Sequence, residues 1–153
     1  MKGQDLLKSV EVLLTERAEL QKKVETMEHQ QVIELRNVLQ KKVSKEDGLS
    51  SLAEIVSVPS SNSLKQLTME LRKESDYVVL GAVIDNKPMI AVAVSDAVIK
   101  SHGLHAGNIV KEAAKEIGGT GGGQPSYAMG GGTRPEGLKA AVVKAGGFLS
   151  RVL

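Results

Sequence analysis

Residues 77–94 read YVVLGAVI, then the turn residues Asp85-Asn86-Lys87-Pro88, then MIAVAV to Val94. Two runs rich in β-branched and small apolar residues, separated by so short a polar link, predict an antiparallel hairpin. Working back from it, Ser60-Ser-Asn-Ser63 offers N-cap residues for a helix through Leu64, Leu67, Met69 and Leu71, ending near Ser75. Before that, Leu52-Ala-Glu-Ile-Val-Ser-Val58 is a short β-like run stopped by Pro59. The order strand, helix, strand, strand predicts an α+β domain, a small mixed sheet with helices packed on it.

Working forward, Asp96 can cap a short helical turn through Ile99. A longer helix is expected from His105 or Ala106 to Ile117, with Ile109, Ala113 and Ile117 on its buried side. A last helix should begin near Pro135, with Thr133 as N-cap, and stop at Gly146-Gly147. The tail Phe148–Leu153 would then add an edge strand.

Residues 4–47 contain neither Pro nor Gly. Leu6, Val10, Leu13, Arg17, Leu20, Val24, Met27 and Gln31 alternate steps of four and three, a heptad seam that then slips by one residue and continues through Val32, Leu35, Leu39 and Val43. This predicts a coiled-coil-like rod ended by Gly48 as a left-handed C′ residue. About 39 residues make it roughly 58 Å long. Such a stripe needs a second helix to cover it. The expected organisation is therefore residues 1–47 as a dimerisation or packing arm and 48–153 as a globular glycine-rich domain.

Composition narrows the function. The chain has no Cys, which removes disulfides and thiolate metal sites. With no signal peptide and no apolar run of about 18 residues, a cytoplasmic protein with no membrane contact is expected. Two Tyr and one Phe are too few for the base-stacking platforms of single-strand binders. Net charge is +2 overall, yet residues 86–153 carry eight basic and four acidic groups, which points that third toward a polyanion. His102 and His105 have an H-x-x-H spacing without further ligands, and neither Ser101 nor Ser126 has a base at evident spacing, so no metal or nucleophile is assigned.

Eleven of the sixteen glycines fall between residues 118 and 147. The tract GGTGGGQPSYAMGGGTRPEG, residues 118–137, lies between two helices and ends in a helix start, so it is not a linker. No Gly-Lys-Ser/Thr follows it and no β-run leads into it, which excludes the nucleotide-hydrolase and dinucleotide fingerprints. What remains is close backbone approach and exposed N–H groups able to meet a phosphate.

Residues 105–132, HAGNIVKEAAKEIGGTGGGQPSYAMGGG, resemble the closing motif of alanyl-tRNA synthetases, a DHH-associated domain that also ends the DHH phosphoesterases. The shared features are Ala106-Gly107, a basic helix with Lys111 and Lys115, Gly121-Gly122-Gly123, Pro125, Ala128 and Gly130-Gly131-Gly132. Thr120 and Gln124 stand where many of those synthetases carry basic residues. The resemblance implies a fragment without catalytic or editing sites, helping to position tRNA for aminoacylation and editing. ATP and zinc belong only to the parent enzyme, so no cofactor is expected here. It implies tRNA, the rest of the synthetase and a second copy paired through the N-terminal helix as partners. The residues assigned to nucleic acid are Lys111, Lys115, Gly121, Gly122, Gly123, Gln124, Arg134, Lys139 and Lys144. The alternative is the substrate-binding accessory domain of a DHH-type phosphoesterase, gripping a nucleotide through Gly121–Gly123.

Overall fold

The computed structural model describes residues 2–46 and 48–152, with side chains for all of these except 2, 4, 46 and 149–152. Helix α1 is Lys2–Gln40, β1 is Ser44–Glu46, β2 is Leu49–Ile55 and α2 is Ser61–Arg72. Strands β3, Tyr77–Ile84, and β4, Lys87–Val94, precede α3, Asp96–His102, and α4, Ala106–Ala114, which tightens into a 3-10 turn at Lys115–Ile117. Strands β5, Thr120–Gly123, and β6, Tyr127–Gly131, lead through a 3-10 turn at Pro135–Gly137 to α5, Leu138–Val152. The six strands form one mixed sheet in the order β1-β2-β3-β4-β6-β5, parallel only between β2 and β3.

The central hairpin forms as read. Tyr77 pairs with Val94 and Ile84 with Lys87, and Asp85 and Asn86 at the turn hold φ of +52° and +62°. A two-residue turn with both residues left-handed matches the twist of its strands, and Asp and Asn tolerate that conformation better than other side chains. Alternating strand residues feed two cores. On one face Tyr77, Val79, Ile90, Val92 and Val94 pack with α4 and α5. On the other Val78, Leu80, Ala82, Ala91 and Ala93 pack with α2 and the end of α1. The molecule thus has three layers: α4 and α5, the sheet, then α2 with the last turns of α1. Tyr77 Oη donates a 2.5 Å hydrogen bond to the Ala145 carbonyl, tying β3 to α5 inside the first core.

Four expectations are corrected. First, the rod stops at Gln40 and does not run on to Gly48. Lys42 N donates to Leu39 O and turns the chain, and residues 44–46 pair with Leu49–Ser51 as a hairpin edge. Gly48 is left-handed, at φ +82°, but in this β-turn rather than as a helix cap; residue 47 lies outside the described residues. Strand pairing overrides the helical pattern because it closes the sheet over Leu49 and Val43, both partly buried. Second, Ser95 caps α3, accepting from Val98 N, while Asp96 pairs with Arg72 at 3.2 Å. Third, Thr133 does not cap the last helix: Arg134 occupies that position with no side-chain bond, and Pro135 opens the turn that follows. Fourth, α5 passes through Gly146-Gly147 instead of stopping. Gly146 sits against Ala53, where a Cβ would lie 3.2 Å from the Ala53 methyl, and Phe148 packs on the core. Residues 148–152 are therefore helix rather than an edge strand; residue 153 lies outside the described residues. The cap by Ser60, which accepts from Ser63 N at 3.2 Å, follows the sequence reading.

Burial governs the two tyrosines. It pushes the Tyr77 phenol far above its ordinary value of 10.0 and the Tyr127 phenol up to about 12. Both stay protonated in the folded chain at a pH where the unfolded chain has ionised. The stability this gives is complete below pH 10; the part due to Tyr127 is lost as pH rises through about 12, and the part due to Tyr77 at still higher pH. Chemical denaturation across that range should show stability falling with pH, and falling less in Tyr77→Phe.

Candidate nucleic-acid interface

The glycine tract folds as a hairpin. Strands β5 and β6 pair antiparallel, Thr120 with Gly131 and Gly123 with Ala128, and Gln124 N closes the turn on Tyr127 O at 2.9 Å. Sequence reading missed both strands because glycine is a poor strand former. The available signal was the Pro125-Ser126 turn between a short run and the Tyr127-Ala128-Met129 triplet.

Why so many glycines stand here is visible in the packing. A Cβ on Gly121 or Gly130 would fall 2.5 or 2.7 Å from Val110 Cγ1 of α4. One on Gly119 would fall 1.8 Å from the Gly131 carbonyl oxygen, and one on Gly107 2.8 Å from the Gly123 carbonyl oxygen. The hairpin and α4 meet backbone to backbone. Gly122 differs: its nearest neighbour would be Lys111 Cε, at 3.9 Å. The fold does not demand glycine there.

The same packing closes the N-terminus of α4. Ala106 N donates to Pro125 O at 3.0 Å, and the His105 ring accepts from Asn108 N at 3.3 Å. These partners take up two of the first-turn N–H groups that a phosphate would otherwise use. His102 Nδ1 lies 2.7 Å from Ser101 Oγ, so each ring of the H-x-x-H pair has a local partner. No cluster of three or more His, Cys, Asp or Glu side chains that could hold a metal occurs among the described residues.

The assigned basic residues all lie in the α4/α5 layer, where residues 106–152 carry six basic and three acidic groups. Their situations differ. Lys111 is exposed, reaches over the Gly122 backbone and has no ion-pair partner among the described residues. Lys139, exposed on α5, also has none. Lys115 pairs with Glu112 at 3.0 Å and Lys144 with Glu116 at 3.4 Å. The hydrogen bond from Lys115, aided by its charge and that of Lys144, holds the Glu112 carboxyl below the ordinary range. Arg134 donates from Nη2 to the Lys115 carbonyl at 3.3 Å, and its backbone N donates to Ile117 O, so it caps the end of the α4 segment. Lys115, Arg134 and Lys144 are thus brought together around residues 115–118. Lys111 and Gly122 form a second group, and Gln124 lies at the exposed tip of the hairpin. Glu112 and Glu116, which sequence reading left aside, set which cations stay unneutralised. The three-residue spacing from Glu112 to Lys115 was the legible sign.

A cleft of about 550 Å³ opens between the β3–β4 turn and the base of the glycine hairpin. Lys87, Pro88 and Met89 line one side, Gly118–Thr120 and Gly131–Thr133 the other. A Cβ on Gly131 would meet nothing closer than Pro88 O at 3.6 Å, so its absence leaves cleft volume rather than relieving a clash. No helix among the described residues is long and apolar enough to cross a membrane.

The chain is 35% identical over 143 residues to the alanine–tRNA ligase of Cytophaga hutchinsonii and 38% identical over 143 residues to that of Bacteroides fragilis. Each comparison covers 92% of this chain but 16% of the relative, so the chain spans about a sixth of these proteins. Among solved structures, the C-Ala domain of Aquifex aeolicus alanyl-tRNA synthetase superposes with a TM-score of 0.59 at 21% identity, covering 72% of this chain and 96% of that one. That likeness concerns the fold. Residues 50–151, from β2 to the end of α5, match the DHHA1 domain, and the chain belongs to that family.

Proposed function

We propose that this chain is the C-terminal tRNA-binding domain of an alanine–tRNA ligase, that it helps to position tRNA for aminoacylation and editing, and that a second copy covers the α1 stripe. The observation that carries the reading is similarity to alanine–tRNA ligases over 92% of the chain. At that coverage it takes in most of α1 as well as the glycine hairpin. The geometry supports it: a basic helical layer, and a glycine backbone that a sugar-phosphate chain can approach under Lys111.

The contact is by backbone and shape. Gly122 admits close approach, and Lys111 and Lys139 supply charge; Gln124, at the hairpin tip, can hydrogen-bond a ribose or base edge. Competition binding tests it. Folded tRNA should displace a labelled tRNA from the chain, whereas a mononucleotide at the same phosphate concentration should not. Displacement by the mononucleotide alone would favour the accessory domain of a phosphoesterase.

A further inference from the structure

The slip in the heptad seam marks a change of partner. After it, Val32 and Leu39 are 1% and 4% exposed, because they pack on α2, and Arg36 pairs with Glu70 at 3.2 Å. Before it, Leu6, Leu13, Leu20 and Met27 repeat at seven-residue intervals and are 61–68% exposed, with Val10 and Val24 between them. No other element among the described residues covers this track, which runs about 38 Å from Leu6 to Gln31. A contiguous apolar track on a soluble surface marks an interaction site.

Two features of the seam say what covers it. Its eight positions are self-complementary when a second α1 runs the other way: Leu6 then faces Gln31, Val10 faces Met27, Leu13 faces Val24 and Arg17 faces Leu20, each pair occurring twice about one axis. In that register the flanking positions bring Glu16 of each copy beside Lys23 of the other. A parallel pairing in register stacks Arg17 on Arg17 and Gln31 on Gln31 inside the seam, with only Lys23 and Glu28 as opposite flanking charges. Shifting the antiparallel pair by one heptad sets Lys23 on Lys23. Like charges facing each other oppose pairing and choose register. An Arg facing Leu20 can lay its methylenes on the leucine and lift its guanidinium to water.

We infer that α1 pairs with a second copy of itself in antiparallel fashion, with Arg17 opposite Leu20 and two Glu16–Lys23 ion pairs flanking the axis. The arrangement puts the two globular domains at opposite ends of the paired segment. It rests on the proposed pairing of two copies and adds its direction and register.

The chain has no Cys, so introduced thiols report only their own pairing. Sedimentation equilibrium of the full chain shows first whether it dimerises; a monomer at every concentration would remove both the pairing and its direction. The Leu13→Cys chain is then mixed with the Val24→Cys chain and oxidised in air. The expected product is a disulfide heterodimer, with neither variant cross-linking alone, because two Leu13 positions lie about 16 Å apart along the antiparallel axis. A dimer that cross-links as Leu13→Cys alone, or forms no heterodimer, would leave pairing standing and overturn the direction. The charges give an independent readout. Lys23→Glu should raise the dimer dissociation constant about tenfold by opposing two Glu pairs, and adding Glu16→Lys should restore it. No rescue would contradict the register.

Discussion

Alanine at Gly119 is expected to destabilise the domain by about 3 kcal/mol or more, at the upper end of what overpacking costs. The new Cβ would sit 1.8 Å from the Gly131 carbonyl oxygen. That oxygen belongs to the backbone of the paired strand and has no rotamer through which to retreat. Relief would require the link into β5 at Gly119 to move away from residues 131–132 at the end of β6, disturbing the adjacent N–H donations from Thr133 and Arg134 to Ile117 O. Alanine at Gly122 is expected to change stability by less than about 0.5 kcal/mol, since only the flexible end of Lys111 comes within 4 Å. Urea denaturation of the two variants measures the contrast. Equal destabilisation would mean that the tract is held for reasons other than the packing described. The Gly122 variant has a second use: a folded chain that binds tRNA less well would place that backbone at the interface.

The other large effect is electrostatic. Reversing Lys111 and Lys139 together to Glu should weaken tRNA binding by about tenfold per site and lower the slope of log affinity against log salt by about 2. Lys115→Gln and Lys144→Gln should cost far less, because Glu112 and Glu116 already neutralise those ammonium groups. Filter binding or fluorescence anisotropy at several salt concentrations reads all four. If Lys115 and Lys144 proved the sensitive pair, the contact surface would centre on residues 115–118 rather than along α4 and the exposed side of α5.

How far the sequence could be read depends on which force decided each element. Where hydrophobic periodicity and turn chemistry agreed, as in Tyr77–Val94 and the Ser60-capped helix, the reading matches the structure closely. Where tertiary packing overrode local preference it did not. Glycines 121–123 are poor strand formers yet form β5, where Gly121 lets Val110 of α4 approach and Gly123 lets Ala128 of the paired strand approach. Gly146 and Gly147 look like a helix stop, yet α5 continues because Gly146 packs on Ala53 and Phe148 on the core. Lys41–Val43 continues the heptad, but pairing of residues 44–46 with β2 ends the helix earlier. Of the candidate site, the cluster of basic residues on α4 and α5 was legible. Their inequality was not, since the Lys144–Glu116 pair joins residues 28 apart and exists only once the two helices pack.

The central claim is that this chain holds tRNA through its charged helical layer and glycine hairpin. The most direct test is equilibrium binding of deacylated tRNA to the full chain across a salt series from about 50 to 200 mM. Binding should weaken steadily, with log affinity falling against log salt at a slope of magnitude about 2–4 for a handful of phosphate contacts. Absence of binding at the lowest salt, or an affinity that does not change across the series, would contradict it.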